Sequence, residues 1–287
     1  MAETVGSGEY TYAVDASWGR GPGGRELGLV SGLAVDAQDR VYVFQRTPEP
    51  CVLVFDRDGR HLRAWGAGAF RTPHGIWIGP ADEAYCTDTE AHTVTRWTLD
   101  GRLLATWGTA GQPGAPGMPF NQPAQAIVAP DGAMYVADGY GQHRVHRFGA
   151  GGRLERSWGT PGTGPGEFGW PVHSVRVDPR GRVLVADRGN NRVQLFSPSG
   201  EYLGQWRDLR TPMDIWIDPA GNVIVVEGGQ RVTVLTLDGA PVAQWGEKGT
   251  APGQFANAPH CLCVDSRGDL YVGEVGADNR LQKFIRR

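Results

Sequence analysis

Three histidines occupy one position of an internal repeat. His74 lies in Thr72-Pro73-His74-Gly75-Ile76, His173 in Pro171-Val172-His173-Ser174-Val175 and His260 in Ala258-Pro259-His260-Cys261-Leu262. Ser31, Ala124 and Met213 hold the same position in the alternating copies. In a ring of six copies, alternate members stand about 120° apart, so three imidazoles at one register converge as a tripod. Three protein ligands with a fourth position left open is how a catalytic zinc is held. Copper, iron and nickel also accept neutral imidazole; with no thiolate or carboxylate at this register, zinc leads. The expected chemistry is Lewis-acid work on an oxygen, without redox. Three unrelated histidines would not share a register, and His61, His92, His143 and His146 do not share it.

A second register follows the second strand of each copy, where the chain reads Gln45-Arg46, Asp88-Thr89, Asp138-Gly139, Asp187-Arg188, Glu227-Gly228 and Glu274-Val275. The recurring acid is expected to hold a turn through backbone hydrogen bonds. Arg46 and Arg188 occur in the first and fourth copies alone, opposite each other in a ring of six. Paired guanidinium groups beside a metal suit a substrate carboxylate or developing negative charge; surface salt bridges are the plainer alternative. Tyr140, in Asp138-Gly139-Tyr140-Gly141, follows the same turn in the third copy. A tyrosine near a cation and a metal can act as general base.

These residues need a frame. Each copy has a short apolar run closing on Asp or a turn, such as Val175-Arg176-Val177-Asp178, then a Pro/Gly turn and a β-branched run such as Val183-Leu184-Val185-Ala186-Asp187. A third segment opens with Asn191-Arg192-Val193 or a variant of it, and a fourth ends in tryptophan: Trp18, Trp65, Trp107, Trp158, Trp206, Trp245. Four short strands at a period of about 40–50 residues predict an all-β, six-bladed β-propeller with four antiparallel strands per blade. The last copy stops after three strands, and residues 9–18 carry the missing fourth, so the N-terminal strand is expected to close the last blade. Residues 1–287 then read as one domain. The tryptophans are expected to pack between blades, and Arg144, Arg192, Arg231 and Arg280 to lace adjacent strands.

The 43 glycines and 20 prolines are turn chemistry spread over every copy. A net charge of −3 gives no case for nucleic acid or membrane binding, and no apolar run is long enough to span a bilayer. The first residues lack the apolar core of a secretory signal, which points to the cytoplasm and reduced thiols. Cys261 and Cys263 stand two apart in one strand, poorly placed to bridge; pairing of Cys51 with Cys86 stays open. No obligate protein partner is evident.

Val183-Leu184-Val185-Ala186-Asp187-Arg188-Gly189-Asn190-Asn191-Arg192-Val193-Gln194-Leu195-Phe196 resembles the NHL repeat. Phe120-Asn121-Gln122-Pro123 followed by Tyr135-Val136-Ala137-Asp138-Gly139-Tyr140 resembles one group within it, the peptidyl-α-hydroxyglycine α-amidating lyases. The likeness runs from about Ser31 to Phe284. It implies a zinc on His74, His173 and His260, a catalytic tyrosine at Tyr140, and arginines at Arg46 and Arg188 that bind the carboxylate. It implies cleavage of an N-acyl α-hydroxyglycine to an amide and glyoxylate. The family's structural calcium leans on an acid directly after the third histidine; that place is Cys261 here, which speaks against calcium. Ala258 replaces a methionine of the site wall. With no monooxygenase domain beside it, the chain suits a small N-acyl or ureido carbinolamide. Two other readings stay open, a zinc hydrolase or hydratase on another carboxylated substrate and a non-catalytic NHL scaffold. Propeller lactonases fit less well, because their acid and amide ligands are missing from this histidine register.

Overall fold

The computed structural model describes residues 3–47, 49–277 and 279–287. The chain is a six-bladed β-propeller with four antiparallel strands per blade. Its contacts divide it into two compact units, one of residues 1–68 with 213–287 and one of residues 69–212.

The unit of residues 69–212 carries three four-stranded sheets and a two-stranded parallel one, Thr160–Pro161 with Glu167–Phe168. The second sheet is built from Pro73–Ile78, Glu83–Asp88, Thr93–Thr98 and Leu103–Trp107. The third comprises Gln125–Val128, Met134–Asp138, Arg144–Phe148 and Leu154–Trp158; the fourth comprises Val172–Val177, Val183–Asp187, Arg192–Phe196 and Tyr202–Trp206. Inner strands such as Val183–Asp187 are buried at every residue, so they read as continuous apolar runs, whereas the outer strand Tyr202–Trp206 is partly open. Trp158, at the end of the third sheet, packs on Phe196 of the fourth with ring centroids 5.8 Å apart. This is the inter-blade packing expected of the tryptophan register.

The other unit holds the first sheet (Val30–Val35, Val41–Gln45, Val52–Phe55, His61–Trp65) and the fifth (Pro212–Ile217, Val223–Glu227, Arg231–Leu235, Pro241–Trp245). The sixth sheet has Ala258–Val264, Leu270–Val275 and Leu281–Arg286, and is closed by Tyr10–Asp15 pairing with Leu281–Arg286. That closure was expected; the fifth strand Thr4–Ser7, added outside Tyr10–Asp15, was not. Trp18 lies three residues beyond its strand and still reaches Phe55 and Tyr271, at 5.4 and 4.8 Å.

In four of the six sheets the turn between first and second strands opens on an aspartate, Asp36, Asp178, Asp218 or Asp265. Asp178 Oδ1 accepts the N–H groups of Arg180 and Arg182, and Gly181 takes the positive φ of 77° that closes the turn. All four cysteines are buried thiols. Among the described residues, no helix is long and apolar enough to cross a membrane.

Candidate active site

Each histidine of the shared register sits on a β-bulge. Val172 pairs with Asp187 and Ser174 with Ala186, so His173 is the extra residue. The same slip occurs between Pro73 and Ile76 around His74, and between Pro259 and Cys261 around His260. A bulge breaks the strict alternation of the strand and re-aims a side chain. Sequence periodicity alone misses this.

The acid register fixes the segments that lead into these bulges. Asp88 accepts the N–H groups of Arg71 and Thr72, at 2.6 and 3.0 Å, just before His74. Asp187 accepts the Gly169 N–H at 2.8 Å, ahead of His173, and Glu274 accepts the Asn257 N–H at 2.8 Å, ahead of His260. Burial pushes the Glu274 carboxyl up, while the Asn257 N–H and the Arg280 guanidinium oppose that rise. The acids were expected to hold the turn that follows them; Asp88 does so, accepting the Ala91 N–H at 2.9 Å, while the bonds to Arg71, Thr72, Gly169 and Asn257 reach the segment before the first strand instead.

In the unit of residues 69–212, His74, Tyr140 and His173 meet. His74 and His173 are buried, and Tyr140 is half-buried. The Tyr140 hydroxyl lies 3.0 Å from His74 Nε2 and 3.0 Å from His173 Nε2. The two imidazole centroids are 5.0 Å apart. His74 Nδ1 lies 2.7 Å from the Ala124 carbonyl oxygen. A carbonyl only accepts, so Nδ1 carries the hydrogen and Nε2 presents its lone pair. Thr87 Oγ1 supports the same place, donating to the Ala124 carbonyl at 2.8 Å and accepting the Gly75 N–H at 2.7 Å. Arg188 opens the short 3-10 turn Arg188–Asn190, directly after Asp187, the pairing partner of Val172. Among the described residues, none pairs with its half-buried guanidinium.

The other unit repeats part of this arrangement. His260 is buried, and its Nδ1 lies 3.0 Å from the Ser31 carbonyl oxygen, which selects the same tautomer. Ser31 is itself a bulge residue, between Val30 paired to Gln45 and Gly32 paired to Phe44. Arg46 follows Gln45 and donates its N–H to the Leu29 carbonyl at 3.0 Å. Cys261 is buried, and its thiol is pushed well up by burial and by the Asp214 carboxylate. It therefore stays neutral where the resemblance would have a charged acid.

Two features lay outside the sequence reading. Trp170 donates its indole N–H to the Tyr140 carbonyl at 2.9 Å. In the third sheet Asp138 is held by Gln142 and His146 rather than by Arg144; His146 Nε2 is 3.1 Å from Asp138 Oδ2, and its Nδ1 is 2.7 Å from Ser157 Oγ. The lacing by arginine does hold for Arg192 on Asp187 and Arg231 on Glu227, at 2.7 and 2.6 Å.

The NHL repeat model matches residues 172–196. Human NHL repeat-containing protein 3 is 34% identical over 96% of this chain and 84% of its own length. Peptidyl-α-hydroxyglycine α-amidating lyase 1 of Drosophila melanogaster is 29% identical over 78% of this chain, which spans 46% of the fly protein. A solved gluconolactonase from Xanthomonas campestris shares the fold, with a TM-score of 0.70 and 16% identity over 97% of this chain and 91% of that one. The chain thus belongs to the NHL-repeat propeller family of NHL repeat-containing protein 3, with homology to the peptidyl-α-hydroxyglycine α-amidating lyases.

Proposed function

We propose that this protein is a metal-dependent lyase that cleaves the C–N bond of an N-acyl or ureido α-hydroxyglycine, releasing an amide and glyoxylate. The observation that carries the proposal is the Tyr140 hydroxyl, 3.0 Å from two buried imidazole nitrogens. Its single hydrogen serves one of them at a time, so the cluster is arranged to exchange a proton or to accept a cation.

His74, His173 and His260 are the residues proposed to hold the ion, each through one ring nitrogen. The donor set fits zinc. Nδ1 of His74 and of His260 is committed to a backbone carbonyl, leaving a neutral Nε2 donor on each. When bound, the ion would supply Lewis-acid polarisation of a substrate oxygen. Tyr140, as the phenolate that a neighbouring cation would favour, is placed to take the proton of the substrate hydroxyl and to return it to the leaving nitrogen. As that O–H bond breaks, the C=O of glyoxylate forms, the C–N bond breaks and the leaving nitrogen gains a proton. Arg188 and Arg46 are proposed to bind the substrate carboxylate.

Metal content, measured on protein carrying no histidine tag, tests this directly. We expect about one zinc per chain in the wild type, its loss in His173→Ala, and glyoxylate released from small carbinolamides by the wild type alone. No metal after zinc reconstitution, together with no glyoxylate, would place the protein among non-catalytic NHL scaffolds. Metal without glyoxylate, with solvent oxygen entering a product, would mark a hydrolase or hydratase.

A further inference from the structure

We propose that Trp170 sets which acyl group is accepted, offering its indole as an aromatic wall beside Tyr140 for a planar, apolar acyl substituent. This rests on the lyase reading above and narrows its substrate class.

Among the described residues, the large apolar side chains that are exposed fall into two groups. Leu62, Leu103, Leu203, Val242 and Ile285 lie on strands, at 37–53% exposure. Met118 and Trp170, at 52% and 58%, lie on loops, and both loops are tied to the turn that presents Tyr140. Gln142 Nε2 donates to the Met118 carbonyl at 2.9 Å, and the Trp170 indole N–H donates to the Tyr140 carbonyl at 2.9 Å. The site turn is thus bracketed by exposed apolar groups.

Trp170 is exposed yet held. Its ring stands edge-on to Tyr140, centroids 5.8 Å apart at 82°. The loop before it is stapled by Arg192, which donates to the carbonyls of Thr163, Gly164 and Glu167, each at 2.8 Å. Asn190 Nδ2 holds the Gly162 carbonyl at 2.9 Å, and Asp187 holds the Gly169 N–H. The Arg188 turn abuts the tryptophan backbone: a Cβ on Gly189 would come within 2.5 Å of Trp170 N and O. An indole with its N–H committed keeps only its faces for a ligand. Fixed aromatic faces beside a reacting group recognise flat or apolar groups at little entropic cost.

The test compares N-phenylacetyl- and N-acetyl-α-hydroxyglycine as substrates for wild type, Trp170→Ala and Trp170→Phe, with KM and kcat read separately. We expect Trp170→Ala to raise KM for the phenylacetyl substrate about tenfold more than for the acetyl one, and Trp170→Phe to keep most of the discrimination. Equal losses for both substrates, falling on kcat, would overturn the proposal and leave Trp170 as a support for Tyr140. Unchanged selectivity would overturn it as well. Should the wild type release no glyoxylate from either compound, the lyase reading falls, and calorimetric binding of the uncleavable N-phenylacetylglycine and N-acetylglycine still decides this one. Tighter phenylacetyl binding that Trp170→Ala abolishes sustains the aromatic wall; no difference removes it.

Discussion

The third and fifth sheets solve one scaffold problem with different residues. In both, the second strand is buried throughout and ends on a fully buried acid, Asp138 or Glu227. Glu227 is met by Arg231 through two nitrogens, at 2.8 and 2.6 Å, and by the Thr233 hydroxyl; the next residue is Gly228 and the first strand carries Met213. Asp138 is met by the Asn121 N–H at 2.9 Å, by Gln142 at 2.6 Å and by His146 at 3.1 Å, and then the chain turns through Gly139 to Tyr140. A Cβ on Gly139 would lie 2.0 Å from the Val172 carbonyl oxygen. That close approach carries Tyr140 to the histidines. The acid is scaffold in both sheets, and chemistry enters through the residues that follow it.

The largest effect is expected at the tip of the third sheet's turn. Tyr140→Phe should lower glyoxylate release by about 10²–10⁴-fold, the range of a lost general base, with the unfolding midpoint unchanged. In the fifth sheet the balance reverses. Arg231→Ala removes both guanidinium bonds to the buried Glu227 and should cost about 3–5 kcal/mol in denaturant unfolding, while activity per folded molecule holds. Catalytic loss in Arg231→Ala without loss of stability would break the division between the two sheets.

Arg188 sharpens the comparison from the fourth sheet, whose acid Asp187 is laced by Arg192 at 2.7 Å while the next residue is left for other work. Arg188→Ala should raise KM for a carboxylated substrate about 10–100-fold, the scale of a charge-assisted hydrogen bond. Arg188→Lys should recover part of it, lacking the two-pronged geometry. An unchanged KM would assign Arg188 to the surface.

Much of this was legible in the chain because a repeat reports its own registers. The histidine phase, the acid at or near the end of five of the six second strands and the orphan strand at residues 9–18 all appear on aligning copies. What stayed hidden depends on pairing across strands. The bulges at His74, His173 and His260 exist only relative to the partner strand's register. The bond from Trp170 to the Tyr140 carbonyl joins residues thirty apart in sequence. Thr4–Ser7 has a glycine and no apolar alternation, so nothing in its composition announced a strand. His146 replaces at Asp138 what arginine does at Asp187, and only the geometry reveals the exchange.

The smallest effect expected lies where the N-terminal strand closes the sixth sheet. Tyr10 is buried, donates its hydroxyl to Asp218 Oδ2 at 2.6 Å and accepts from Asn222 Nδ2 at 2.6 Å. Its ring lies 4.3 Å below the Arg286 guanidinium. Burial and the Asp218 hydrogen bond push its hydroxyl up to about 12, from an ordinary 10.0. A group whose folded pKa is raised stabilises the fold fully below its unfolded pKa and loses that contribution as pH rises through the folded one. Tyr10→Phe should therefore cost about 1 kcal/mol near neutrality. The gap to wild type should narrow as pH climbs from 10 towards 12, measured as paired unfolding midpoints so that other tyrosines cancel. A gap that stays constant to pH 12 would mean that the tyrosine contributes through ring packing alone. The closure would then rest on the apolar cluster that Tyr10 shares with Tyr12, Val226, Val234 and Phe284, and not on a hydrogen bond of the kind that holds the turn of the third sheet.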